Sequence, residues 1–303
     1  MLNPVRVKTA GRRSCLVFTY LKKMFKVIIP FFIPALLILC SCKGSDLPQP
    51  SSPSAIHPVT GDSAAVPVVP SKPDTAKKPQ QQVGTSKREF VMFPGKKLAH
   101  IKQYLVFTPQ GYDPKSAREW PLVFFLHGAG EKGNDITKVK RSAFPQLAIS
   151  DGTDFPFIMI SPQLAMEAGY WSPDELDVLF SEIVDTYKVD RSRVIVTGMS
   201  LGGNGTWDWA AHSPQYFAAA LPICGWGNPS NACRMKGTEI WAFHGDSDLI
   251  VNITGTKNMI SALRSCGLNP AFTIYPGVGH DSWTRTYNNP DVIKWMMAQR
   301  KNK

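Results

Sequence analysis

The sequence predicts an α/β fold in which a mostly parallel β-sheet is covered by helices on both faces. From about residue 100 onward, short apolar runs rich in β-branched and aromatic residues alternate with longer segments of helical periodicity. This alternation is typical of parallel strands joined by crossover helices. Such sheets bind ligands at the carboxyl ends of their strands, and the polar motifs of this chain all follow predicted strands.

The individual elements follow from this periodicity in chain order. Each predicted strand is a short apolar run bounded by turn residues, and each predicted helix has an apolar stripe with a period near 3.6 residues. Strands are expected at residues 101–108, 122–126, 157–160, 194–197, 218–223, 239–243 and 272–275. Helices are expected at residues 175–187, 253–266 and 291–300, with another that begins after Ser200 and ends before Pro214.

Residues 1–41 have the layout of a bacterial lipoprotein signal peptide. An apolar run at 27–39 follows three lysines and is shorter than a membrane-spanning helix. It ends in Leu-Cys-Ser-Cys, which resembles the lipobox whose last cysteine is acylated after cleavage, so Cys42 is the expected lipidation site. An ordinary secretory signal or a simple membrane anchor is the alternative. Met24 is an alternative start, since it would itself begin a compact signal.

Residues 42–87 are expected to form an extended tether, because they are rich in Pro, Ser, Thr, Gln and Lys and lack aromatic residues. Residues 1–88 carry most of the formal net charge of +11, leaving 21 basic and 20 acidic residues from Glu89 onward. A near-neutral domain at 88–303 does not have the basic surface of a nucleic-acid-binding protein. We expect this domain in the bacterial cell envelope, at the outer membrane or cell surface, with a lipid anchor as its only contact with the membrane.

Three cysteines follow the tether: Cys224, Cys233 and Cys266. An envelope location permits disulfides, and a bridge from Cys224 to Cys233 would close a short loop beside the expected site. Three thiols cannot all pair within one molecule. The sequence therefore leaves open whether there is a bridge or only free, buried thiols.

A G-x-S-x-G motif carries the candidate nucleophile, Ser200. Its residues Gly198-Met199-Ser200-Leu201-Gly202 directly follow the strand at 194–197 and precede a predicted helix. A strand, this motif and a helix form the nucleophile elbow, a strained turn that lifts the serine above the end of the sheet. An ordinary glycine-rich turn can have the same pattern. The assignment therefore depends on whether an acid and a base follow.

An acid and a base do follow, each in a loop after a strand. The strand at 239–243 leads into His244-Gly245-Asp246-Ser247-Asp248, and the strand at 272–275 leads into a turn that ends in His280. The chain order Ser, Asp, His is that of α/β-hydrolases. The candidate triad is Ser200, Asp248 and His280. Asp246 also follows the strand, and we expect it to hydrogen-bond within the turn.

Four motifs together resemble compact bacterial carboxylesterases related to feruloyl and acetyl-xylan esterases. They lie at residues 126–133, 198–202, 244–248 and 277–283, and the likeness runs from about Arg88 to the C-terminus. The resemblance implies an α/β-hydrolase and a serine ester hydrolase that needs neither metal nor organic cofactor. Its H-G-x-x-D pattern favours Asp248 over Asp246 as the acid. The ester stays open, because phospholipases, thioesterases and peptidases share this scaffold.

The loop His127-Gly128-Ala129-Gly130 follows the strand at 122–126, where this fold carries part of its oxyanion hole. Leu201 is expected to offer one backbone N–H, and the family resemblance favours Ala129 as the second donor, with Gly130 as the alternative. We expect His127 to fix the loop. The loop also contains the dinucleotide fingerprint G-x-G-x-x-G, so nucleotide binding is a second function class. It is disfavoured because that fingerprint opens a helix at once on the first strand of a βαβ unit.

The connections predict an open cleft without a large cap domain. Only 13 residues separate Cys224 from Thr238, where many lipases insert a lid. Trp171, Trp226 and Trp283 lie in loops at the expected catalytic edge, where their rings could stack on a phenolic acid or a sugar. The alternative for each tryptophan is that it pins its loop to the core.

These expectations combine into a serine carboxylesterase that acts on feruloyl or acetyl esters of plant polysaccharide. The substrate would be a small-molecule or polysaccharide-borne ester. A generic short-chain esterase, a phospholipase or a serine peptidase of the same fold is the alternative, and a non-catalytic glycan-binding lipoprotein is a more remote one. The sequence decides neither the ester nor the oligomeric state.

Overall fold

The computed structural model describes residues 89–150 and 154–301. The predicted signal peptide, the lipidation site at Cys42 and the tether lie outside these residues. In the described part of the chain, no helix is long and apolar enough to cross a membrane.

A single eight-stranded sheet forms the centre of the described domain. Its strands are β1 (Glu89–Met92), β2 (Ile101–Phe107), β3 (Trp120–Leu126), β4 (Ile158–Leu164), β5 (Val189–Met199), β6 (Ala219–Ile223), β7 (Glu239–Gly245) and β8 (Ala271–Tyr275). They are arranged in the order β1-β2-β4-β3-β5-β6-β7-β8. In this order, all neighbouring strands from β4 to β8 pair in parallel. At one edge, β1 pairs antiparallel with β2, and β2 pairs antiparallel with β4. The predicted fold class, a mostly parallel sheet in an α/β-hydrolase, is confirmed.

Seven α-helices and two 3₁₀-helices lie between or after the described strands. The α-helices are α1 (Ile136–Lys140), α2 (Ala143–Ile149), α3 (Pro173–Thr186), α4 (Leu201–His212), α5 (Thr254–Ser265), α6 (Trp283–Tyr287) and α7 (Pro290–Ala298). The 3₁₀-helices are Ala129–Glu131 and Pro229–Met235. The second of these occupies the connection between β6 and β7, where we expected a short link in place of a large cap.

Alternation along the strands creates two cores, one on each face of the sheet. In β3, Phe124 points to the face covered by α3, α4 and α5, whereas Phe125 points to the face covered by α2, α6 and α7. Both side chains are fully buried. A strand buried on both faces reads as a continuous apolar run, which is why β3 was recognisable from the sequence.

The register of the central strands brings their carboxyl ends level with one another. Leu126 at the end of β3 lies opposite Gly198 in β5, Met199 lies opposite Ile223 in β6, and Gly245 in β7 lies opposite Tyr275 in β8. The loops that follow these strands therefore meet at one edge. This edge carries all the candidate site residues that the structure describes.

Several elements extend beyond the predicted bounds or were not predicted. β4 continues to Leu164 through polar residues that we expected to end it, and β5 begins at Val189. β1 and the short helices α1, α2 and α6 were not predicted, because each has too few residues to show a clear period. All seven predicted strands and four predicted helices are present.

Candidate active site

Ser200 occupies a strained turn between β5 and α4. Its φ of 55° and ψ of −116° place a non-glycine residue in a sparsely populated backbone region. Its backbone N–H donates to the Ile223 carbonyl at 3.0 Å, which ties the turn to β6. A Cβ on Gly202 would overlap the Leu126 carbonyl, and one on Gly198 would lie 2.6 Å from the same oxygen. Glycine is needed at both positions because the turn, β3 and α4 approach one another closely.

The structure brings Ser200, His280 and Asp248 into one hydrogen-bonded chain. The Nε2 atom of His280 lies 2.9 Å from the Ser200 Oγ, and its Nδ1 atom lies 2.7 Å from Asp248 Oδ2. The Asp248 carboxylate can only accept, so His280 carries a hydrogen on Nδ1 and presents the Nε2 lone pair to the serine hydroxyl. This is the tautomer that a general base requires.

The carboxylate of Asp248 is wholly buried and held by its own turn. Its Oδ1 accepts from the backbone N–H groups of Ile250 and Val251, both at 2.9 Å. Burial alone would raise the pKa of Asp248, but hydrogen bonds from His280 and from these two N–H groups outweigh it, and the net pKa is lowered. The carboxylate is therefore ionised at neutral pH.

Asp246, the other candidate acid, points into the turn as expected. Its Oδ1 accepts from the Gly277 N–H at 2.7 Å and from the Ser247 hydroxyl at 3.0 Å. The Ser247 N–H donates to the Val278 carbonyl at 3.0 Å. These bonds join the loop that carries the acid to the loop that carries the histidine, so Asp246 acts as a link between loops.

The candidate oxyanion donors lie at the first residues of two helices. Ala129 begins a 3₁₀-helix and Leu201 begins α4, so neither N–H has a partner within its own helix. Losing one such donor typically costs about 3 to 4 kcal/mol of transition-state stabilisation. Gly130 stays the alternative to Ala129.

Buried polar groups fix the loop at residues 127–133. The Trp171 indole N–H donates to the His127 carbonyl at 3.3 Å. The Gln163 side-chain amide donates at 2.8 Å to the carbonyls of Glu131 and Asp135. Lys132 donates to the Ala168 carbonyl at 2.6 Å. The loop is therefore attached to β4 and to the segment that follows it.

His127 is a structural member of this loop. Its ring is fully buried, its Nδ1 lies 2.6 Å from the Gly128 carbonyl, and its Nε2 accepts from the Leu164 N–H at 3.0 Å. Both contacts are satisfied only by the neutral ring with its hydrogen on Nδ1. Burial lowers the pKa of His127 to about 4, and Lys132 acts in the same direction. The ring is neutral at physiological pH.

A cleft of about 360 Å³ has Met199, the residue before Ser200, in its wall. We call it the Met199 cleft, and its walls include Glu131, Arg141, Leu147, Met199, Trp283 and Tyr287. Burial raises the pKa of Glu131, an effect that N–H groups of the loop partly offset. The volume falls within the range of small-molecule sites, about 300 to 1,000 Å³.

The three tryptophans have different environments. Trp171 is 2 % exposed, and its ring packs edge-on against His127 and directly over Gly205. The expectation that Trp171 forms a substrate platform is therefore wrong, because its buried ring has almost no surface left for a ligand. Trp226 is half-buried against the core beneath α4. Trp283 is half-buried, meets His280 edge-on at 5.3 Å between ring centroids, and lines the Met199 cleft.

The cysteines pair in a way that the sequence left open. Cys233 is bonded to Cys266, which joins the 3₁₀-helix 229–235 to the end of α5. The suggested bridge from Cys224 to Cys233 does not form, and Cys224 is free and buried. Burial raises the pKa of the Cys224 thiol to about 12, so it is protonated at neutral pH.

One group of described side chains offers three metal-ligating atoms within 4.8 Å of one another. It consists of Cys224, Asp248 and His280. Asp248 and His280 already bond to each other, and the thiol would have to lose a strongly held proton before it could bind a cation. We therefore assign Asp248 and His280 to the hydrogen-bonded chain and leave cation binding unassigned.

Comparison with known proteins agrees with this fold. Residues 170–295 match the model of the dienelactone hydrolase family. The chain has the α/β-hydrolase fold. A solved thermostable esterase shares 29 % identity and a TM-score of 0.60, with 70 % of this chain and 63 % of the esterase covered. A feruloyl esterase module from Clostridium thermocellum, solved as an S954A mutant with sinapinate, has 18 % identity and a TM-score of 0.52 over 71 % of this chain and 90 % of the module.

Curated relatives match this chain over a smaller part of its length. A protein named "Putative carboxymethylenebutenolidase" from Methylorubrum extorquens is 27 % identical over 35 % of this chain and 40 % of its own length. The matched region thus spans two fifths of that relative. These likenesses establish the fold, and they leave the substrate of this chain to be argued from its site.

Proposed function

We propose that this protein is a serine ester hydrolase whose reaction runs through Ser200, His280 and Asp248. The observation that carries the proposal is the chain of hydrogen bonds of 2.9 and 2.7 Å from serine to histidine to buried carboxylate. This order of groups activates a hydroxyl that is otherwise a weak nucleophile.

In the proposed reaction, the His280 Nε2 takes the Ser200 proton while Oγ attacks the ester carbonyl carbon. The N–H groups of Leu201 and Ala129 stabilise the negative oxygen of the tetrahedral intermediate. His280 then gives the proton to the leaving alcohol. Water repeats the same relay to release the acid and restore the serine, so protons and bonds balance over one cycle.

The decisive test compares Ser200→Ala with Ser265→Ala, a control on the surface of α5. Fluorophosphonate labelling and hydrolysis of p-nitrophenyl acetate should both be lost in Ser200→Ala, with turnover lower by at least about 1,000-fold. Ser265→Ala should match the wild type in both assays. Near-native hydrolysis by Ser200→Ala would refute the nucleophile assignment, and an unlabelled wild type would favour a non-catalytic protein.

We further propose that the preferred substrates carry a ring-bearing acyl group such as feruloyl on a plant polysaccharide, with acetyl esters as the second candidate. The size of the Met199 cleft and the half-exposed Trp283 in its wall support the ring, since an acetyl group would leave most of the cleft empty. Large exposed apolar side chains also occur in the loops after β4 and β7 at this edge; they are Met166, Tyr170, Leu249 and Ile250. These side chains could contact an extended substrate.

A substrate panel separates this proposal from its alternatives. It contains methyl ferulate, acetylated xylan, p-nitrophenyl acetate, phosphatidylcholine and a prolyl peptide amide. Highest kcat/KM on methyl ferulate supports the ring-bearing acyl group. Exclusive cleavage of the amide or the phospholipid would overturn the polysaccharide-esterase proposal and leave the triad intact.

We also propose that the domain works in the bacterial cell envelope, tethered through a lipid on Cys42. The support is the signal-like leader and lipobox of the sequence, together with a disulfide, which is typical of oxidising compartments. Radioactive palmitate should label the wild type in bacteria and leave Cys42→Ala unlabelled. Labelling that persists in Cys42→Ala would contradict this site.

A further inference from the structure

His244 is the second-last residue of β7 and the first of the motif His244-Gly245-Asp246-Ser247-Asp248. Its ring is fully buried, and its side chain has no part in the reaction proposed above. The Nε2 atom lies 3.2 Å from Asp248 Oδ2, the same oxygen that receives the hydrogen bond from His280. His244 and His280 therefore share one carboxylate oxygen.

The partners of the ring decide where its hydrogen lies. Besides the Asp248 oxygen, Nε2 lies 2.9 Å from the Val251 carbonyl, and both of these oxygens can only accept. A neutral ring therefore carries its hydrogen on Nε2, where the two oxygens share it. On the other side of the ring, Nδ1 lies 2.8 Å from the Thr256 hydroxyl, which also lies 2.8 Å from the Gly225 carbonyl. Burial lowers the pKa of His244, an effect that Val251 and Asp248 partly offset.

The same ring thus contacts both ends of the turn that carries the acid. This turn, Asp248–Val251, holds Oδ1 through the N–H groups of Ile250 and Val251. The single Nε2–H of His244 hydrogen-bonds to the Val251 carbonyl at 2.9 Å and also faces Oδ2 at 3.2 Å. Asp248 thus accepts from Ile250, Val251 and His280, and the Nε2–H of His244 is a fourth, shared contact.

We propose that His244 is a positioning residue for the reaction: it holds the Asp248 carboxylate in the orientation that presents Oδ2 to His280. The proposal rests on the proposed esterase function. A buried carboxylate costs least when every acceptor site is filled, so loss of one donor leaves it free to rotate or to seek another partner. The other titratable groups that act on the ring are Asp248 and His280.

Two neutral substitutions separate positioning from packing. Gln at position 244 can place its amide nitrogen near the position of Nε2, whereas the shorter Asn can reach only the position of Nδ1. His244→Gln therefore keeps a donor toward Asp248, and His244→Asn loses it while retaining a polar group toward Thr256. Thr256→Val is a third variant, which leaves His244 in place and removes the hydroxyl beside its Nδ1.

The experiment measures the second-order rate of Ser200 labelling by a fluorophosphonate between pH 5 and 9, with the melting temperature of each variant. His244→Asn should label on the order of 10- to 100-fold more slowly than wild type, because it loses the N–H that faces both the ionised Asp248 carboxylate and the Val251 carbonyl. The acid limb of its rate profile should move to higher pH, since a less stabilised carboxylate holds the imidazolium of the relay more tightly. His244→Gln should recover most of the rate, and Thr256→Val should show a smaller effect in the same direction.

Each result bears on the proposal. If Asn and Gln variants of matched melting temperature label as fast as wild type, His244 does not position the acid. If both are slowed equally with the acid limb unmoved, the residue is only a packing element and the proposal is overturned. A wild type that does not label shows instead that the proposed function has failed, and the positioning role falls with it.

Discussion

Acidification should destabilise the domain through His127, well above the pH range in which carboxylates are protonated. This ring is fully buried in the loop at residues 127–133, which carries the proposed oxyanion donor Ala129 and is called the oxyanion loop below. Its two nitrogens are matched to the Gly128 carbonyl and the Leu164 N–H. A second proton would have to sit on Nε2, where it would face the Leu164 N–H. The folded protein therefore resists protonation of His127, whereas the unfolded chain does not.

The size of the effect follows from the pKa of His127, which burial lowers from 6.5 to about 4. The unfolded chain takes up a proton as the pH falls below 6.5, and the folded chain takes it up only near pH 4. The stabilisation is complete above pH 6.5 and is lost as the pH falls toward 4. At about 1.4 kcal/mol per pKa unit, the free energy of unfolding should fall by about 2 kcal/mol between pH 7 and 5, and by about 3 kcal/mol at pH 4.

Urea unfolding of the wild type and of His127→Gln at pH 7, 6, 5 and 4 tests this reasoning. Gln does not titrate, so its curve should be flatter, although its stability at pH 7 should be lower. The difference between the two curves cancels groups such as Asp248, whose lowered pKa also costs stability in acid. If wild type and variant lose stability in parallel from pH 7 to 5, His127 is not the group responsible.

Three further predictions concern the disulfide, the acid and the cleft. Replacing Cys233 and Cys266 with serine should lower the free energy of unfolding in urea by about 4 kcal/mol, because the bridge closes a loop with a sequence separation of 33; a change below about 1 kcal/mol would contradict this. Asp248→Asn should reduce kcat on p-nitrophenyl acetate by about 10³- to 10⁴-fold, whereas Asp246→Asn should lose less than about tenfold, and a reversed ranking would reassign the acid. Trp283→Ala should raise KM for methyl ferulate more than it lowers kcat, and an effect on kcat alone would exclude stacking in the ground state.

The central strands and the triad candidates could be predicted because their signals are local. Ser200 lies within a short motif that demands glycine at two neighbouring positions, and Asp248 and His280 each follow an apolar strand. Parallel strands then bring these three loops to one edge without any knowledge of the packing. Order along the chain was therefore enough to predict which loops meet, and the family resemblance was needed to choose Asp248 over Asp246.

Contacts that depend on packing could not be predicted in this way. Gln163 supports the oxyanion loop from inside β4, yet a polar residue there reads as the end of a strand. Trp171 and Trp283 both lie in loops at the catalytic edge, but only Trp171 finds a space over Gly205 that buries it. The partner of Cys233 depends on where α5 ends, and nothing near Cys233 in the sequence indicates it.

The attachment of the oxyanion loop to β4 has a consequence for inhibitors. Because Gln163, Lys132 and Trp171 already hold the loop, its N–H groups need little ordering when a ligand arrives. A compact tetrahedral ligand such as a boronic acid would then bind in one fast step, and its affinity would be set by residence time. Potency in a chemical series should thus follow the dissociation rate, which makes slow release the property to select for.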